Sequence, residues 1–332
     1  MVTAQFDAGH DGLEARIAGD PEPEAQGFRH VFDAFLREFG FRGPNEWEMA
    51  SRCWEIAPET PLAAVDVMRR SGVEASPAAR MAGRLRAREA AIAAVEARLA
   101  GDAESLDQFR AAVAAAATFF AARERTKTNC AMLTHEMRMP MWELGRRFLE
   151  RGVFERREDF ALLTDEEWTA AVADPPSVSG LVRERRAGAD HLAALQPPFI
   201  VDGEVPPLDS WPRRSNVRLA GDERRLQGQP GCAGVARGRV RVVHDPSEPG
   251  DIAPEDILVA RYTDPSWTPL FSAVSGVVVE VGATVSHAVI VARELGVPCV
   301  TSVTDATRKL ADGALVEVDG GAGSVMVLEG GA

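Results

Sequence analysis

Residues 282–296 read GATVSHAVIVARELG, and they follow a strand-like apolar run, GVVVEV, at 276–281. A strand thus passes through a glycine into an amphipathic helix that begins at Ser286-His287. The first amide N–H groups of such a helix have no partner within it, and together with the helix dipole they stabilise an anion. Ser286 is placed to act as N-cap, which puts His287 in the first turn. A neutral imidazole gains nothing there and an imidazolium is repelled, whereas a phosphorylated imidazole is stabilised. Two readings therefore fit these residues alone. Either His287 is a nucleophile that carries a phosphoryl group, or it is a half-buried histidine packed at a helix start.

The 332 residues leave room for two domains, and their 45% apolar and 26% charged content is that of an ordinary globular chain. The net charge of −13 is shared by both halves, so a nucleic-acid surface is not expected. No run is apolar enough to span a membrane, and the acidic N-terminus does not read as a secretory signal. Cys53, Cys130, Cys232 and Cys299 are far apart, which predicts reduced thiols, a cytoplasmic location and no metal site.

Periodicity divides the chain. From Gly27 to Ala194 it is helical: FRHVFDAFLREFG ends at Gly40, a long helix opens at Ser76-Pro77, and another runs from Glu104 to a stop at Pro140. MWELGRRFLERG then reads as a separate helix, and Thr164 with Glu167 as a capping box. Beyond a Pro-rich stretch the period becomes that of strands, at VARGRVRVVHD, DILVARY, GVVVEV, PCVTSV, ALVEVDG and SVMVLEG. The expected fold is a multidomain α and α+β chain. It comprises an N-terminal tail (1–26), an all-α domain (27–195), a Pro-rich linker (196–232) and a C-terminal β/β/α domain (233–332). GCAGVARG (231–238) has the glycines of a phosphate cradle but leads into a strand and lacks Lys-Ser/Thr, so it is not a P-loop. DGGAG (319–323) reads as a hairpin turn.

In the helical half, RERTK (123–127) sets Arg123 and Lys127 at i and i+4, two like charges on one face. An anion between them would turn that cost into a gain; a solvated Glu124–Lys127 pair is the plainer alternative. EFGFRGPNEWEMASRCWEIAP (38–58) offers Arg42 and Glu46, with Trp47 and Trp54 beside them, and by themselves these residues read as a clamp between helices. His135 lies two turns beyond Lys127 and reads as a core or surface histidine, or as one that reaches the same cleft.

GATVSHAVIVARELGVPCV, together with GVARGRVRVVHDP, DILVARYTDPSWTPLF and DATRKLADGALVEVDGGAGSVMVL, resembles the swivelling phosphohistidine domain of phosphoenolpyruvate-utilising enzymes. That family includes the dikinases and the rifampin phosphotransferases. The resemblance covers the whole C-terminal domain and implies that His287 is the phosphoryl carrier. Gly282, Thr284 and Ser286 would form its loop, with Thr263, Asp264, Trp267 and Pro269 framing it. Trp267 can equally cap the core. Ala283 stands where the family has a second glycine, and Val285 where the dikinases have threonine, so the loop is closer to the rifampin phosphotransferase type. RERTK is similar to an Arg-Glu-x-x-Lys motif of that type. By this resemblance Arg123 and Lys127 hold the phosphoryl oxygens, Glu124 orients or deprotonates the acceptor, and Arg42, Glu46 and Trp47 contact it.

The resemblance covers no ATP-grasp domain and no TIM barrel. It therefore implies a phosphotransferase component that receives its phosphoryl group from an ATP-grasp partner in trans, or from a missing part of the chain, and passes it to a small organic acceptor. ATP and Mg²⁺ are expected on that partner, and no cofactor on this chain. The alternative is a phosphorylatable binding or regulatory module without turnover. His287 would then be a switch, and the helical half would grip a partner protein.

Overall fold

The β-rich runs of the C-terminal part pair into one sheet. The computed structural model describes residues 2–8, 12–70, 77–198, 201–213, 224–246 and 249–330. Its strands are β1 (Arg225–Gln227), β2 (Gln229–Cys232), β3 (Val235–Val242), β4 (Ile257–Ala260), β5 (Gly276–Val279), β6 (Cys299–Thr301), β7 (Leu315–Asp319) and β8 (Ser324–Glu329). They lie in the order β1-β8-β7-β3-β4-β5-β6-β2. The centre, β3 to β6, is parallel, and the pairs flanking it are antiparallel.

Side-chain alternation assigns the two cores. Leu258, Ala260, Val277 and Val279 face one apolar cluster with Leu270, Phe271, Ala288 and Ala292. Ile257, Val259 and Val278 face another with Leu310, Val316, Val318 and Val325. Strands buried on both faces read as unbroken apolar runs, which is how ILVA and GVVV appear in the sequence. The first cluster is covered by α9 (Thr268–Ser272) and α10 (His287–Leu295); α11 (Ala306–Lys309) contributes Ala306 to the second.

β1 and β2 lie inside the stretch read as a linker, 196–232. Pro230 concealed β2, since proline is excluded from central strands but tolerated at an edge, and β2 is the last strand of the sheet. Residues 199–200 and 214–223 of that stretch lie outside the described residues.

The helices are α1 (Val2–Asp7), α2 (Leu13–Gly19), α3 (Pro23–Phe39), α4 (Glu59–Arg70), α5 (Pro77–Leu99), α6 (Ala103–Glu150), α7 (Asp165–Ala173) and α8 (Ser179–Ala193). The first residues, read as a tail, bury Phe6, Leu13 and Ile17 against Ala25, Phe32 and Leu62. The two helices expected on either side of Pro140 are one: α6 runs through it for 48 residues. Proline forfeits a single backbone bond there. Ala131, His135, Arg138, Trp142, Gly145 and Phe148 form a buried stripe that spans the proline, and its packing outweighs that loss.

By contacts the chain divides into one unit of Met1–Asn45, Arg52–Asn129 and Arg218–Ala332, and a second of Glu46–Ser51 and Cys130–Val217. These units cut across the segments read from composition. In the second, the fully buried Arg138 donates to the carbonyls of Glu46 and Glu48 at 2.7 and 3.1 Å, and the Trp142 indole N–H to that of Met49 at 3.0 Å. Arg186 pairs with the buried Asp159. Glu167 accepts from the Thr164 amide at 2.8 Å, as a capping box requires.

Two glycines bracket the expected response to substitution. A Cβ on Gly238 of β3 would lie 1.8 Å from the Glu255 carbonyl oxygen, while one on Gly83 of α5 meets nothing within 4 Å. Urea unfolding should show Gly238→Ala destabilised by about 3 kcal/mol or unable to fold. Gly83→Ala should be stabilised by up to about 1 kcal/mol.

Candidate phosphoryl-carrier site

β5 ends at Val279 and the chain turns through Gly282 to start α10 at His287. A side chain at Gly282 would be crowded, since a Cβ would stand 3.0 Å from the Thr301 Cβ and 3.1 Å from the Ser286 Oγ. Its carbonyl accepts from the Ser302 hydroxyl at 2.8 Å. The Thr284 carbonyl accepts from Arg293 at 3.1 Å, so the base of the helix holds its own leading loop. Ser286 occupies the N-cap position with extended backbone, but its hydroxyl makes no capping bond. The Ser286 Oγ is instead buried, with no hydrogen-bond partner among the described residues. The cap expected from the sequence is therefore positional only. α10 closes at Gly296, whose φ of 69° favours glycine.

The imidazole of His287 is partly buried. Its Nδ1 lies 3.0 Å from the Thr263 Oγ1, its Nε2 lies 3.4 Å from the Thr268 Oγ1, and the Phe271 ring meets it edge-on at 6.0 Å. Its pKa is lowered from 6.5 to about 4, by loss of hydration first, then by the charges of Lys127 and Arg42. At neutral pH the ring is uncharged, with Lys127 and Arg42 both disfavouring its protonation.

These cations come from two elements. Lys127 is on α6, with its Nζ 3.6 Å from the Glu124 carboxylate. Arg42 follows α3, stacks over the Phe41 ring at 5.0 Å and donates to the Thr128 Oγ1 at 2.9 Å, one residue past Lys127. Arg123 pairs with Glu124, so this carboxylate holds two of the three cations of RERTK, Arg123 and Lys127. The ion-pair reading is thus present, and Lys127 still bears on the imidazole.

Asp264 caps the turn Pro265–Trp267, accepting from the Ser266 amide at 2.9 Å and from the Asn45 amide at 3.0 Å. Trp267 is buried in the apolar cluster with Phe271 and Ala288, as the core-capping alternative expects, and Pro269 lies in α9. Glu46 and Trp47 belong to the second unit, the former buried and the latter half-exposed. His135 is buried in that unit as well. Thr268 and Phe271 were not singled out from the sequence. Both lie in TDPSWTPLF, and only the tight turn into α9 aims them at the imidazole. Among the described residues, no helix is long and apolar enough to cross a membrane.

Residues 252–323 match the mobile domain of PEP-utilising enzymes. Residues 2–124 match the fourth domain of rifampicin phosphotransferase. The chain thus carries a PEP-utilising enzyme mobile domain after a rifampicin phosphotransferase fourth domain, and over both segments it is rifampicin phosphotransferase-like. A rifampicin phosphotransferase of Streptomyces sviceus is 30% identical over 318 residues, 95% of this chain and 35% of that protein. An uncharacterised Mycobacterium tuberculosis protein is 37% identical over 307 residues, 92% of this chain and 32% of its own length. The prodigiosin synthesizing transferase PigC of Serratia marcescens is 30% identical over 329 residues, 97% of this chain and 36% of that protein. The chain spans about a third of the length of these relatives.

The lowered histidine pKa has a measurable sign. Folding lowers it, so the unfolded chain binds the proton first, and stability falls as pH drops from 6.5 toward 4. His287→Asn should remove up to about 3 kcal/mol of that pH dependence. By ¹⁵N NMR the ring should titrate near pH 4. Lys127→Ala should raise the midpoint without restoring 6.5, because burial is the larger cause.

Proposed function

We propose that this chain is a phosphotransferase component in which His287 receives a phosphoryl group from ATP bound to an ATP-grasp protein or domain, and delivers it to a small organic acceptor. The observation that carries this reading is an uncharged imidazole at the start of α10, under the field of Lys127 and Arg42. A buried histidine with only a packing role has no use for two cations that disfavour its protonation, whereas a phosphorylated one is stabilised by both.

With Thr263 taken to accept from Nδ1–H, one of the two tautomers that the threonine hydroxyls allow, the lone pair lies on Nε2, toward Thr268. That pair forms an N–P bond to the β-phosphorus of ATP while the P–O bond to AMP breaks with its electrons leaving on that oxygen, and water then takes the γ-phosphate, leaving one phosphoryl group on the ring. In the second transfer an acceptor oxygen attacks phosphorus, the N–P electrons return to Nε2, and the acceptor proton passes to a carboxylate such as Glu124. Lys127 and Arg42 neutralise the equatorial oxygens in both steps, with Arg123 available once Glu124 is engaged elsewhere. ATP and Mg²⁺ belong to the partner, which places the reaction in the cytoplasm. The carrier domain moves between partner and acceptor, and 27–195 contributes the acceptor side.

A second reading, a phosphorylated binding module without turnover, draws on the exposed Glu124 satisfied by both neighbouring cations. The two readings differ in whether the label leaves. β-³²P-ATP with an extract containing the partner should place acid-labile, base-stable label on wild type and none on His287→Ala. An unlabelled wild type under every condition sinks the carrier reading. Label that forms but never transfers supports the binding module. Lys127→Ala should slow transfer by about 10²-fold or more.

A further inference from the structure

Helix α5 and the first half of α6 run antiparallel as a hairpin, tied near its turn by the Glu96–Arg110 ion pair at 2.7 Å. From Met81 to Cys130 no side chain is buried. The apolar residues there nonetheless keep the spacing of a core face, with Ile92 and Val95 on α5 and Phe109, Val113 and Phe120 on α6. They line an open groove of about 660 Å³ between the two helices, and Phe120 is exposed. Past Ala131 the same helix has its stripe buried, so the difference lies in what packs on it and not in its pattern. Helices gain most of their stability from tertiary burial, and an apolar face left open over such a length marks an interaction surface.

The charges along the hairpin indicate what covers it. At the tip, Glu96, Asp102, Glu104 and Asp107 outnumber Arg98 and Arg110. At the base, Arg86 and Arg88 outnumber Glu89 on α5, and Arg123, Arg125 and Lys127 outnumber Glu124 on α6. Between these ends, residues 111–122 of α6 carry no charge. A surface that is acidic at one end and basic at the other repels a parallel copy of itself and attracts an antiparallel one. A twofold axis across the middle of the groove lays α5 on α5 and α6 on α6 in opposite directions. Val113 then lies beside the axis, and Glu104 comes opposite Arg125 of the second copy. Ala91, Ala116 and Ala117, which also line the groove, leave the gaps that the large side chains of the facing copy fill.

We infer that the α5–α6 hairpin is a dimerisation surface, and that its occupant is the hairpin of a second copy of this chain, packed antiparallel as a four-helix assembly. The inference is independent of the carrier reading. In the dimer the acidic tip of each copy lies over the RERTK end of α6 in the other.

Sedimentation velocity on the full chain, over the micromolar range, tests this. Wild type should be a dimer whose Kd rises with salt. Val113→Asp should raise the Kd by about tenfold or more, with helix content by circular dichroism unchanged. Glu104→Arg and Arg125→Glu should each weaken the dimer by about fivefold, since each change occurs twice across a twofold interface. Combined in one chain, they should restore the Kd to within about threefold of wild type. The two residues stand about 30 Å apart along α6, too far to compensate within one copy. Restoration therefore reports contact between copies, and it keeps the test intact if Val113→Asp does not fold. A chain that is monomeric at every concentration overturns the inference and leaves the groove to another protein. A dimer that folded Val113→Asp leaves unchanged, or charge variants that fail to rescue one another, overturns it as well.

Discussion

Strands β4 and β5 are enclosed on both faces, Leu258 and Val277 facing one core, Ile257 and Val278 the other. A strand so buried can present chemistry only where it ends, because every side chain along it is committed to packing. β5 ends at the turn that starts α10, and β4 ends at the loop that carries Thr263 and Thr268. Parallel pairing of these strands brings both loops to the same edge of the sheet. The imidazole and its two hydroxyl neighbours are thus gathered by the pairing itself. The position of His287 follows from hydrophobic burial, and its chemistry from what surrounds that edge.

What surrounds it is an unusual combination for a histidine. The ring has lost much of its hydration and is faced by Lys127 and Arg42, so both causes oppose its protonation. Glu124 balances Arg123 and Lys127 on α6, which keeps the cations near the imidazole without a net cost of repulsion between them. An arrangement of this kind is poor for a proton and good for a phosphoryl group. The same cations that push a proton away stabilise the negative oxygens of phosphate, and the helix start adds to that in the same direction.

The sequence exposed some parts of this design more readily than others. Apolar runs bounded by Gly, Pro and Asp located β3 to β8, and the strand–glycine–helix junction located His287. β2 was hidden, since Pro230 is a strand-breaker everywhere but at an edge, and edge position is a property of the whole sheet. The continuity of α6 through Pro140 was hidden for a related reason: local propensity argues for a stop, and the buried stripe from Ala131 to Phe148 that overrides it exists only once other elements pack against it.

By itself, the sequence determined the change of period from helix to strand, the apolar runs that must be buried, and the histidine at a helix start where an anion is favoured. These depend on residues close together in the chain, where spacing and propensity act. Only the tertiary structure decided that Thr268 meets Nε2, that Arg42 joins Lys127 in the field of the imidazole, and that the apolar stripe of α6 is covered past Ala131 and open before it. Arg42 and Lys127 lie 85 residues apart, and both lie more than 150 residues from His287. Contacts over such separations are set by which buried faces fit one another, and no local pattern records that fit.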